Sequence, residues 1–163
     1  MKKNILISLV LFMSATNFFA QENASSVGPK KNAIFLEAGG SAVWYSVNYE
    51  RKFPFKSMHR ITTGIGTLFI PIDSSPILSG VLTAGYLYGE KHNLELGVGA
   101  CYLFTDPDFV GSARIGYRYE GNKGVQFRIG FSPIYGKFAA TGIEEYSGKG
   151  VLPWGYISIG YAF

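Results

Sequence analysis

One cysteine, Cys101, and two histidines, His59 and His92, are all that this 163-residue chain carries of the side chains that most often crosslink or hold metals. A single thiol excludes an intrachain disulfide. Two histidines far apart, with Cys101 on a third stretch, lack the spacing of a metal site. Charge is scarce as well: 16% of the residues are Asp, Glu, Lys or Arg, against about 25% in an ordinary soluble domain. Setting aside Lys2 and Lys3 leaves 13 basic against 11 acidic residues, a formal charge of +2, which is too weak a field to address nucleic acid. Helical spacing of apolar residues is missing throughout. The only apolar-rich run, 5–13, is shorter than the roughly 18 residues a membrane helix requires. Gly39-Gly40, Gly64-Ile65-Gly66 and Gly97-Val98-Gly99 are not followed by a helical pattern, which excludes a phosphate-binding loop and marks them as packing glycines.

What the chain does have is alternation. Over 93–104, Leu94, Leu96, Val98, Ala100, Tyr102 and Phe104 alternate with Asn93, Glu95, Gly97, Gly99, Cys101 and Leu103, the period-two signature of a strand whose faces meet different surroundings. The same pattern predicts strands over 33–39, 43–53, 60–70, 77–88, 109–119, 125–132 and 154–163, eight in all. Gly, Pro, Asn, Asp and Ser cluster between them, as turns require. Gly39-Gly40-Ser41 reads as the first turn, and a final connection over 137–153, holding Glu144, Glu145 and Tyr146, is the longest. The strands form a single domain, 33–163, behind a short lead at 21–32.

The identity of the polar residues decides which face meets water. The polar face is mostly Gly, Ser and Thr, and the eight lysines after Lys3 fall in the lead, in turns or at strand ends. Arg60, Arg114, Arg118 and Arg128 instead lie within strands on the polar parity, as do Glu37, Glu50 and Glu95. Charges so placed are expected to point into a narrow lumen and neutralise one another, because a buried charge is tolerable only when matched. Aromatics gather at strand ends: Phe53, Tyr86, Tyr88, Tyr117, Tyr119, Tyr161 and Phe163 at one set, and Tyr45, Phe69, Tyr102, Phe104, Phe109 and Tyr135 at the other. Two such girdles suit the interfaces of a membrane barrel.

The first twenty residues read as a secretory signal peptide, with Lys2-Lys3 ahead of an apolar run and small residues up to Ala20. The chain closes on a strand whose outward residues are Ile157, Ile159, Tyr161 and Phe163. This closing strand, the lumen charges and the girdles resemble those of small eight-stranded bacterial outer-membrane β-barrels, in which the terminal aromatic is read by the assembly machinery. The resemblance implies an all-β, eight-stranded antiparallel transmembrane β-barrel in the outer membrane of a Gram-negative cell, monomeric, with both termini periplasmic. Its implied partners are outer-membrane lipid and the assembly machinery, with Tyr161 and Phe163 as the assembly signal.

Some barrels of this class are lipid A deacylases or palmitoyltransferases that use a histidine with a serine and a carboxylate. A nucleophilic serine needs a base within reach, but His59 and His92 both fall at turns on the periplasmic side, away from the outer leaflet. Asp73, Asp106 and Asp108 on the opposite rim read as solvated turns rather than a calcium site. The expected function is therefore non-enzymatic, with no cofactor and no metal. A structural or surface-interaction role places the contact region in the loop with Glu144, Glu145 and Tyr146. The competing role, a conduit for small apolar molecules, requires a passage that a charge-filled lumen opposes. The sequence names no external ligand.

Overall fold

A computed structural model describes residues 30–71, 76–105, 107–137 and 149–163. The expected signal peptide, the lead up to residue 29, Asp73, Asp106 and the residues Glu144, Glu145 and Tyr146 lie outside the described residues. The chain forms ten strands: β1 (Asn32–Gly39), β2 (Tyr45–Lys56), β3 (His59–Ile70), β4 (Ile77–Gly89), β5 (His92–Leu103), β6 (Asp108–Glu120), β7 (Val125–Phe131), β8 (Ile134–Lys137), β9 (Lys149–Leu152) and β10 (Gly155–Ala162). Each is antiparallel to its neighbours, and the pairings of β10 with β1 and of β5 with β6 close the sheet on itself.

Ten strands make eight staves. β7 and β8 are successive parts of one stave, since both pair with β6, and β9 continues into β10 in the same way. The breaks fall at Pro133 and Pro153, whose nitrogens cannot donate to the ladder. The ladder is carried across the first break by the Ala113 amide, which donates to the Pro133 carbonyl, and by the Ser132 amide, which donates to Trp154 (3.1 and 2.8 Å). The barrel is therefore eight-stranded, as the alternation predicts. The expected 137–153 loop is shorter than read, because its last part is β9, paired with β8 from Leu152 to Lys149.

Both described chain ends share one mouth with the tight connections at Ser57–Met58, Glu90–Lys91 and 121–124. We call this the terminal mouth. Along every stave the burial alternates, with β1 and β2 as clear cases. Outward residues are apolar and open to the surroundings, including Ile65 (60% exposed), Leu82 (61%) and Ile159 (61%). A water-soluble barrel does the opposite and puts its apolar side chains inside. The two aromatic girdles fall where the sequence places them, except that Phe104 sits in the turn after β5, its amide bonded to the Leu78 carbonyl.

The interior has two tiers. The half toward the terminal mouth is ionic. The other half is an apolar cluster of Ala42, Leu68, Val81, Cys101, Val110, Ile134 and Leu152, so Cys101 packs as a small apolar side chain. A second correction concerns the link between β1 and β2. It is not an open turn: Gly40–Ala42 form one turn of 3-10 helix that folds inward, with all three residues buried. Gly39 and Gly40 adopt φ of 79° and 64°, and a Cβ on Gly40 would fall on the Glu37 carboxylate, so only glycine suits this entry. Val43 leaves the turn at φ 70°, a left-handed conformation that costs a β-branched residue on the order of 1–3 kcal/mol. The Trp154 indole donating to the Val43 carbonyl (2.9 Å) and the Ser41–Ser112 hydroxyl pair (2.7 Å) hold it there.

Candidate functional site

The period of two that places Glu50 inward on β2 also places Glu95 on β5 and Arg114 and Arg118 on β6 inward; β5 and β6 are paired neighbours, and β2 stands across the lumen from β6. Arg118 is the hub. Its Nη1 and Nη2 donate to the two oxygens of Glu50 (2.6 and 2.9 Å), and its Nε and Nη2 donate to those of Glu95 (2.9 Å each). No part of the Arg118 side chain reaches the surface. Planar two-pronged pairing of this kind is the strongest form of ion pair and needs the fork of arginine rather than a lysine point charge.

Arg128 lies beside the hub. It bonds Glu50 (3.1 and 3.3 Å) and the Gln126 side chain (3.1 Å), and its guanidinium stands 3.7 Å over the Phe35 ring. Stacking on an aromatic face partly offsets the lost hydration of a buried cation. Arg114 donates to Glu37 (2.8 Å), lies 3.5 Å from Glu95 and covers the Tyr156 ring at 4.6 Å. That ring crosses Gly130 and Gly116, cross-strand neighbours in the β6–β7 ladder. A Cβ on Gly130 would come within 2.7 Å of the Tyr156 ring. The glycine pair is thus a trough that seats the tyrosine on which Arg114 rests.

Glu37, Glu50, Glu95, Arg114, Arg118 and Arg128 are brought together. Arg60 joins that group only through Glu120, which lies 3.6 Å from Arg118: it pairs with Glu120 (2.5 Å), the Asn93 side chain and the carbonyls of Gly89 and Glu90 at the terminal mouth. A correction concerns lysine. Lys52 is not a strand-end residue at the surface but is buried in the lumen, donating to Glu120 (2.9 Å). Sequence reasoning passed over Lys52, Glu120 and Tyr156. Parity was the available signal, since Lys52 follows Glu50 by two residues and Glu120 follows Arg118 by two. Tyr161 and Phe163 lie on the outward face, and the Phe163 amide and carbonyl pair with Asn32 (2.9 and 3.0 Å).

The histidines are aromatic neighbours. His59 pairs through Nδ1 with the Tyr86 hydroxyl (2.5 Å) among the rings of Phe55, Tyr86 and Tyr88. His92 pairs with the Tyr117 hydroxyl (2.6 Å). Among the described residues, no three His, Cys, Asp or Glu side chains cluster so as to hold a metal ion.

No family model matches the chain, and no curated protein matches it. Among solved structures, the chain is similar to the backbone structure of the Yersinia pestis outer membrane protein Ail in a phospholipid bilayer nanodisc. The two share 14% identity at a TM-score of 0.47, over 83% of this chain and 100% of that one.

Proposed function

We propose that this protein is a non-enzymatic outer-membrane β-barrel with a structural or surface-interaction role, spanning the bilayer with its termini in the periplasm. One observation carries this reading: the polarity of a soluble barrel is inverted, with buried ion pairs inside and exposed aliphatic side chains outside. Only a lipid surrounding makes such an exterior favourable. The orientation rests on the tight turns at the terminal mouth and the long 138–148 connection opposite, since periplasmic turns are short and external loops long.

The lumen reads as a plug. Arg118, Glu50 and Glu95 bridge its width, and the apolar cluster fills the tier beyond, which opposes a conduit for small apolar molecules. The surroundings of the histidines support the non-enzymatic reading: both are engaged with tyrosine hydroxyls in the aromatic girdle, and among the described residues neither is bonded to a serine. Tyr161 and Phe163 offer an outward aromatic edge to the assembly machinery. The loop bearing Glu144, Glu145 and Tyr146 is the contact region, because a rigid scaffold commonly carries its function on its longest connection.

The test of the membrane reading is heat-modifiable gel migration of the outer-membrane fraction, expected to show a compact form converting to a slower one on boiling. Planar-bilayer recording tests the plug, with no steady conductance expected. Replacing 138–148 by a four-residue turn tests the loop: surface binding by whole cells or envelope integrity should fall. Unchanged behaviour in both assays would leave a purely structural barrel.

A further inference from the structure

The terminal mouth opens into a basin of about 1030 Å³. Lys52 and Arg60 form its floor, both bonded to Glu120, and Lys30, Lys56 and Lys91 stand around it. Glu90 is the other carboxylate among the described residues of its lining, which thus carries five cations and two anions. Lys30 stands at the outer edge of this rim, its ammonium 5.1 Å from the centre of the outward Tyr161 ring.

The imbalance continues inward. Among the described residues, the ion pairs of the lumen join five cations (Lys52, Arg60, Arg114, Arg118 and Arg128) to four carboxylates (Glu37, Glu50, Glu95 and Glu120). The hub is matched locally, because each of its carboxylates accepts from a two-pronged arginine or lies between two. The surplus falls at the basin floor, where Lys52 and Arg60 share one carboxylate and Arg118 lies a further 3.6 Å from it. Excess positive charge in a low-dielectric barrel is unfavourable unless an anion approaches, and a concave wall of one sign concentrates its field on the opening.

We propose that this basin binds a phosphate oxyanion, with Lys52 and Arg60 as its floor and Lys30, Lys56 and Lys91 as its rim. A phosphate monoester or diphosphate suits it better than a single carboxylate. It brings a charge of about −1.5 or more on several acceptor oxygens, against a lining excess of three. Ammonium groups serve such oxygens as mobile point charges. The group is carried either by a soluble phosphorylated molecule or by an anionic lipid headgroup folding over the rim, where Phe55 and Lys56 are exposed.

The experiment titrates inorganic pyrophosphate into the folded full-length barrel at low salt, in zwitterionic micelles and in nanodiscs with and without an anionic phospholipid. Saturable binding in micelles is expected. A soluble source leaves that binding intact in anionic nanodiscs, whereas a lipid source abolishes it there. Lys56→Gln with Lys91→Gln should weaken binding by about two- to fivefold per lysine, as for exposed charge pairs. Lys52→Met should weaken it by about tenfold or more, as for a desolvated one. Glu120 keeps Arg60, so Lys52→Met should also unfold at the denaturant concentration of the parent protein. Absence of saturable binding in micelles, affinity indifferent to both variants, or a Lys52→Met barrel that fails to fold would each overturn the proposal.

Discussion

Arg118→Met is the most informative single change, because it replaces the hub by an unbranched apolar side chain of comparable volume. The parent arginine makes four hydrogen bonds to Glu50 and Glu95, all out of reach of solvent. Removing one partner of a buried pair costs about 3–5 kcal/mol, because the other charge stays behind unmatched. Glu50 would still have Arg128 at 3.1 Å, but Glu95 would be left with Arg114 at 3.5 Å and Arg128 at 3.8 Å. The loss should therefore lie near the lower end of that range, about 3 kcal/mol. Urea unfolding of the refolded barrel in lipid vesicles, followed by tryptophan fluorescence and gel shift, measures it directly. Adding Glu95→Gln removes the stranded charge and should recover part of the loss, giving a coupling of about 1–3 kcal/mol in the double-mutant cycle. If Arg118→Met unfolds within about 1 kcal/mol of the parent, the ion pairs of the lumen are not what holds its two walls together.

Leu82→Arg tests the exterior: an exposed leucine on a soluble protein accepts arginine with little effect, whereas a lipid-facing one near mid-bilayer loses about 2–4 kcal/mol, seen as reduced insertion into vesicles. Gly130→Val would press on the Ile115 carbonyl and the Gly116 Cα as well as on the Tyr156 ring and should cost about 1–3 kcal/mol by overpacking, while Tyr156→Phe keeps the ring under Arg114 and should change the unfolding midpoint little. Equal effects of these two changes would remove the seating role assigned to the glycine pair. Ser41→Val should disturb the inward 3-10 turn, since its hydroxyl meets Ser112 and lies against Gly99. The expected loss is about 1–3 kcal/mol in the same urea titration, and a neutral result would mean that the turn is held by Trp154 alone.

Alternation, turn residues and the parity of charge were enough to read an eight-stranded barrel, its inward arginines and glutamates and its two aromatic girdles from the amino-acid sequence. Each of these follows from the two-residue period of a strand, which assigns every side chain to one face without reference to the rest of the molecule. Partnership is a different matter. The Arg118–Glu95 pair lies diagonally across the β5–β6 hairpin, but that Arg118 also meets Glu50 from β2, and that Arg60 turns to Glu120, depends on the stagger between staves far apart in the chain, which no local pattern encodes. Parity already put Lys52 on the face of Glu50, but whether a lysine near a strand end reaches water or stays in the lumen depends on how far its neighbours continue. The inward fold of Gly40–Ala42 and the pairing of β8 with β9 likewise needed the closed barrel, which supplies Ser112, Trp154 and the apolar cluster as partners. Sequence sets the face of each residue. Which side chains meet across the lumen, and where one cation is left over, is set only when the sheet closes.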